Sequence, residues 1–226
     1  WPPACMEGTS KKHVKPIRQK WFGVACCPPN IARTLASLGQ YVYSQKPEKK
    51  ELYVNLFVSN ETEFDWNKDK IFVKLQTEFP WVNTYSLEVK NVPADGMDLM
   101  LRVPDYAQNC QVKADGNIYE ENKESEKGYR RVHVEKDTKV EVSFAAPAKF
   151  VYANPQVRAD SGKVAIVRGP LVYCLEEIDN SQNLPAIFVD TDAALREEKS
   201  DLFGGIITVK ARGKKIVESS VSDSLY

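Results

Sequence analysis

From Glu51 onward the apolar residues fall at every second position, and this alternation limits the fold more than any other feature of the chain. In ELYVNLFVSN, Leu52, Val54, Leu56 and Val58 share one side of an extended backbone, while Tyr53, Asn55 and Phe57 take the other. The pattern predicts further strands at Thr62–Trp66, Lys70–Glu78, Thr84–Lys90, Asp98–Val103, Cys110–Lys113, Asn117–Glu120, Tyr129–Glu135 and Lys139–Phe144. Turn-forming residues stand between them: Pro93 with Asp95-Gly96, Pro104-Asp105, Asp115-Gly116 and Lys136-Asp137. Asp115-Gly116, between two short strands, predicts a tight hairpin. Many short strands divided in this way predict an antiparallel β-sandwich over residues 47–146. After Ala146-Pro147 a second group predicts another small β-sandwich over residues 147–226. Its strands are expected at Phe150–Ala153, Val157, Lys163–Arg168, Leu171–Glu176, Ala186–Val189 and Ile206–Lys210, with Gly169-Pro170 as a bend. Asp190–Ser200 reads as a helical turn or a loop.

Upstream of this mainly β region the period changes. Ile31, Leu35, Leu38 and Val42 recur at spacings of three and four, so they lie on one face of a helix, and that face should be buried. Proline suits a first helical turn, so the helix is expected to start at Pro28 or Pro29 and to run to about Ser44, before the charged boundary QKPEKK. Cys27 precedes a proline and is pushed toward extended geometry, which places Cys26 and Cys27 just outside the positive helix end. Thiolates are stabilised there, and the thiolate is both the nucleophilic and the metal-binding form of cysteine. Paired thiols on a rigid turn suit zinc, which takes about four ligands, so two of them leave a site incomplete. Burial of two small apolar side chains is the plain alternative.

Composition narrows the choice of partner. Lysine and arginine total 31, and so do aspartate and glutamate, so no net field favours nucleic acid or an anionic membrane. No apolar run approaches the roughly 18 to 20 residues a membrane span needs. Five cysteines, Cys5, Cys26, Cys27, Cys110 and Cys174, are sparse and odd in number, which favours reduced thiols over a disulfide framework. The chain opens on Trp1 with no signal-peptide pattern, so its natural start is expected upstream; cytoplasm and bacterial periplasm both stay open.

Several separated motifs stand in order along the chain: Trp21-Phe22, then Ala25-Cys26-Cys27-Pro28-Pro29-Asn30-Ile31-Ala32-Arg33, then Leu52-Tyr53-Val54-Asn55-Leu56. Later come Gly162-Lys163-Val164-Ala165-Ile166 and Arg168-Gly169-Pro170-Leu171-Val172-Tyr173-Cys174-Leu175-Glu176. Together they resemble glycoside hydrolase family 127, the β-L-arabinofuranosidase family, from about Trp21 onward. The resemblance implies the last part of a larger enzyme, with residues 1–46 as the loop and helix that close an α/α barrel catalytic domain. It gives Cys26 the role of nucleophile of a retaining glycosidase and zinc ligand, and Cys27 that of zinc ligand. The remaining ligands, a glutamate and a third cysteine, and the acid that protonates the leaving oxygen would lie upstream. The chain alone would then be inactive, with zinc in the complete parent and an arabinofuranoside as substrate. Two departures accompany the likeness. Pro2-Pro3-Ala4-Cys5 stands near the place where relatives carry Asn-Pro-Leu-Glu, and the chain stops at Leu225-Tyr226, where the family usually continues. An open edge on the last sandwich would invite a homodimer.

Two other readings stand beside this one. The chain could be a non-catalytic scaffold, dimerisation or carbohydrate-binding module, or the cysteine pair could be a dithiol redox or metal sensor. His13 and His133 read as solvated or structural, Lys11, Lys12 and Lys15 as a solvated basic cluster, and Cys110 and Cys174 as strand cysteines of the core. Trp66, Trp81, Tyr85 and Tyr106 are expected in cores more than on sugars.

Overall fold

The computed structural model describes residues 26–66, 69–119 and 127–217. The Trp21-Phe22 motif, Cys5, His13 and the basic cluster fall outside these residues. The chain forms two compact units, Trp1–Val42 and Tyr43–Tyr226.

In the first unit, α1 spans Cys27–Ser37 and a short second helix, α2, spans Gly39–Val42. The start falls one residue earlier than expected. Cys26 has helical backbone angles (φ −71°, ψ −40°) and its carbonyl accepts the Asn30 N–H at 3.2 Å, so the bond of the first turn holds Cys27 helical despite Pro28. The helix also ends earlier, at Ser37, and Tyr43, placed in the helix by periodicity, begins a strand. Of the expected apolar stripe only Val42, which falls in α2, is buried: Ile31 is 63% exposed and Leu35 68%. Periodicity identifies the apolar side of a helix, but burial needs a surface to pack on, and no α1 residue is buried.

The second unit is built from strands. A four-stranded sheet has the order β1-β2-β6-β9, with β1 Tyr43–Lys46, β2 Glu51–Val54, β6 Met97–Arg102 and β9 Tyr129–Val134. A six-stranded sheet has the order β3-β4-β5-β10-β7-β8. Its strands are β3 Asn60–Trp66, β4 Asp69–Thr77, β5 Thr84–Lys90, β7 Gln108–Ala114, β8 Asn117–Ile118 and β10 Thr138–Ala145. Alternation turns Leu52, Leu99 and Val132 inward in register on the first sheet. On the second it turns in Leu75, Leu87 and Val140. Each such side chain contributes about 1.5 to 3 kcal/mol when fully buried. The pairing is antiparallel except between β2 and β6, which run parallel. A parallel pair needs a crossover, and here the chain crosses through β3, β4 and β5 of the other sheet before returning. The strand alternation also ends sooner than expected, at Val54, and Phe57 is buried while Val58 is exposed.

The Asp115-Gly116 hairpin joins β7 to β8. Both residues have positive φ, 47° and 81°, as a two-residue turn matching the twist of its strands requires. Beyond Ala146 the sheets are small and antiparallel. β11 Lys149–Tyr152, β12 Val164–Arg168 and β13 Leu171–Tyr173 form one of them. β14 Ile187–Val189 pairs with β17 Gly213–Lys215, and β15 Arg196–Ser200 pairs with β16 Ile206–Lys210. β15 is a strand where a helical turn or loop was expected, and Val157 lies outside any strand. The single-turn helix α3 covers Glu177–Asn180.

Candidate functional site

Cys26 and Cys27 stand at the start of α1, both exposed and both free thiols. Consecutive residues of a helical turn ordinarily point apart, yet the two sulfurs lie 3.6 Å from one another. Pro28 and Pro29 occupy the first turn, where missing N–H groups cost no helical bond. One turn on, Asn30 accepts a hydrogen bond from Arg33 through its side chain, and its carbonyl accepts one from the Thr34 hydroxyl at 2.8 Å.

Electrostatics differ from the expectation of a stabilised thiolate in one respect. The Cys27 thiol is held above its ordinary value, chiefly by its hydrogen bond to Cys26, then by the charge of that neighbour, with a smaller contribution from desolvation. Two adjacent anions repel, and a single cation between them removes that repulsion. In a tetrahedral site with zinc–sulfur bonds of about 2.3 Å, two sulfurs stand about 3.8 Å apart. The observed spacing therefore fits a shared zinc. Among the described residues no group of three or more cysteine, histidine or acidic side chains is placed to hold a metal.

The remaining candidates separate cleanly. Cys110 lies on β7, half-buried, and burial pushes its thiol up although Arg130 acts in the opposite direction. Cys174 is exposed and follows the end of β13, so it is neither a strand nor a core residue; strand periodicity had been extended past Tyr173. His133 projects from β9 to Asp98, Nδ1 to Oδ1 2.7 Å, and Asp98 also accepts from Arg131 at 2.7 Å. Glu51, itself buried, joins this ion network at 3.5 Å from Arg131, a structural cluster that no single motif signalled. Its signal is the register itself, which sets Glu51 opposite Asp98 and Asp98 opposite His133. Trp66 and Tyr85 are core residues, whereas Trp81 is 42% exposed on the turn after β4.

The profile of the family 127 β-L-arabinofuranosidase middle domain matches residues 51–148, and that of the family 127 C-terminal domain matches residues 148–215. A non-reducing end β-L-arabinofuranosidase of Bifidobacterium longum is 32% identical over 217 residues, covering 92% of this chain and 32% of that protein. A solved family 127 β-L-arabinofuranosidase of Geobacillus stearothermophilus superposes with a TM-score of 0.83 and 38% identity, over 100% of this chain and 36% of that one. A second solved family 127 β-arabinofuranosidase gives a TM-score of 0.77 and 31% identity, over 90% of this chain and 34% of that one. The chain thus spans about a third of the length of these relatives. Two adjoining domain profiles of one family, together spanning residues 51–215, and a fold shared with its solved members show that the chain belongs to glycoside hydrolase family 127 and carries that family's middle and C-terminal β domains.

Proposed function

We propose that this chain is the part of a retaining β-L-arabinofuranosidase-like glycoside hydrolase that supplies a cysteine nucleophile, Cys26, held with Cys27 on zinc. The observation that carries the reading is the 3.6 Å sulfur pair at the start of α1, exposed and spaced for one metal ion. Zinc, when bound, would hold both sulfurs deprotonated, the form in which cysteine is a nucleophile. Cys26 Sγ attacks the anomeric carbon, forming a carbon–sulfur bond as the glycosidic carbon–oxygen bond breaks. The departing oxygen takes its proton from a carboxylic acid supplied by the longer protein. Water, giving its proton to the carboxylate left by that acid, then attacks the same carbon, the carbon–sulfur bond breaks, and sulfur and acid return to their starting states. Cys27 positions Cys26, and the helical turn with its two prolines fixes both.

Two of the donors stand among the described residues, and turnover belongs to the longer protein, as the one-third coverage of its relatives supports. The exposed Ile31 and Leu35 stripe supports a helical neighbour in that protein. The test is zinc content and arabinofuranosidase activity of the complete protein with and without Cys26→Ser. Loss of turnover by about a thousandfold or more, with an unchanged circular dichroism spectrum, is expected when a nucleophile is removed. Activity retained in that variant would sink the assignment.

A further inference from the structure

The outer face of the six-stranded sheet carries a groove of about 730 Å³ that the chemistry above does not use. Its floor is a straight row across four strands: Gln76 of β4 opposite Ser86 of β5, Ser86 opposite Glu141 of β10, and Glu141 opposite Lys113 of β7. One step along, Thr84 stands opposite Ser143 in the same groove. Their sequence neighbours Leu75, Leu87, Val112 and Val142 are buried, so strand alternation turns the row outward. The short side chains of Ser86, Thr84 and Ser143, flanked by the longer Gln76, Glu141 and Lys113, make the face hollow. Val82, 42% exposed, gives it an apolar wall.

What sets this row apart is that its polar groups make no pair across strands. Elsewhere on the same sheet the outward charges pair across strands, Lys70 with Glu63 at 2.5 Å and Lys74 with Glu61 at 2.7 Å. In the groove Glu141 pairs along its own strand with Lys139 at 3.0 Å. Among the described residues the side chains of Gln76, Ser86, Lys113 and Ser143 have neither a hydrogen bond nor an ion pair. An amide, hydroxyls, the carboxylates of Glu78 and Glu141 and the ammonium of Lys113 form a donor and acceptor mixture with one net negative charge. An anionic ligand is disfavoured there, whereas neutral sugar hydroxyls, each able to donate and accept, match it, with a sugar C–H face against Val82.

We infer that this groove is a second, non-catalytic site that binds a neutral oligosaccharide. The polyol class follows from the groove, and arabino-oligosaccharides as the first probe rest on the proposed function. The test is calorimetric titration of this chain with arabino-, xylo- and cello-oligosaccharides. Saturable binding of at least one of the three is expected, weakened about tenfold by Lys113→Ala or Gln76→Ala, the worth of one hydrogen bond. Ser86→Trp should fill the hollow and abolish binding, while Cys26→Ser should bind as the unsubstituted chain does. No saturable heat with any of the three sugars, or equal binding in Lys113→Ala and Ser86→Trp, overturns the inference. Binding lost in Cys26→Ser overturns it as well, by moving the ligand to the thiols, and leaves the catalytic reading standing. Active Cys26→Ser parent enzyme would remove the catalytic reading and leave the groove.

Discussion

Tyr85 stacks on Phe57 inside the β-sandwich, ring centroids 4.7 Å apart, and among the described residues its buried hydroxyl has no hydrogen-bond partner. Burying such a group costs about 1 to 3 kcal/mol, so Tyr85→Phe should stabilise the protein by about 1 kcal/mol, read as a higher urea midpoint at an unchanged slope. Tyr43 differs, because its hydroxyl donates to Asn60 at 3.1 Å. Burial pushes its pKa up to about 12 and pushes Tyr85 up as well. A folded-state value above the unfolded value of about 10 gives stability that is fully present below pH 10 and is lost as pH rises through about 12. The alkaline loss should therefore be shallower in Tyr43→Phe and Tyr85→Phe than in the unsubstituted chain; identical alkaline limbs would show that neither hydroxyl carries it. The sequence made Tyr85 legible as a core residue, since it alternates with Leu87 and Val89. The missing partner was not legible, because it depends on what lies across the core.

Among elements, β15 shows why a strand can escape notice. Its sequence REEKS has no apolar alternation, and most of its residues are exposed. The strand exists because each of its residues has a register partner on β16 and because Glu197 is held from two sides. One carboxylate oxygen accepts the Ala148 N–H at 2.7 Å and the other the Arg168 Nε–H at 2.8 Å. Burial pushes the Glu197 carboxyl up, but the bonds from Arg168 and Ala148 and the Arg168 charge outweigh it and hold the pKa below the ordinary value. A depressed value gives stability that is present above the unfolded pKa of about 4.3 and is lost as pH falls through the folded one. Glu197→Gln should cost about 1 to 2 kcal/mol at neutral pH, allowing for partial exposure, and the difference from the unsubstituted chain should vanish in acid. A cost that persists undiminished at low pH would mean that shape rather than charge holds β15. By contrast, β4, β5 and β10 were plain in the sequence, because each sends alternate apolar side chains into one core.

At the scale of the whole molecule, what was legible follows where apolar burial is concentrated. The buried apolar side chains of the second unit run from Tyr43 to Ala146, and among the described residues none beyond Ala146 is buried. Strands that fill a core announce themselves by period, while the strands after Ala146 are held by backbone ladders and polar contacts such as the Tyr173 hydroxyl on the Ile207 carbonyl at 2.8 Å. The candidate site was legible to the extent that its chemistry is local: two adjacent cysteines and two prolines form a motif within one turn, whereas ligands distant in the chain leave no such mark. The same distribution predicts unequal stability. Backbone amides of β4, β5 and β10, locked between buried side chains, should exchange with solvent only through global unfolding, whereas those of β12 and β16 should exchange through cheaper local openings. Native-state hydrogen exchange in low urea reads the two sets separately. Protection in β12 and β16 should fall at least tenfold below that of β5 and should not respond to urea, since small openings expose little surface. Equal protection with equal urea dependence would show that the residues after Ala146 unfold as one cooperative body with the large sandwich, in spite of their exposed faces.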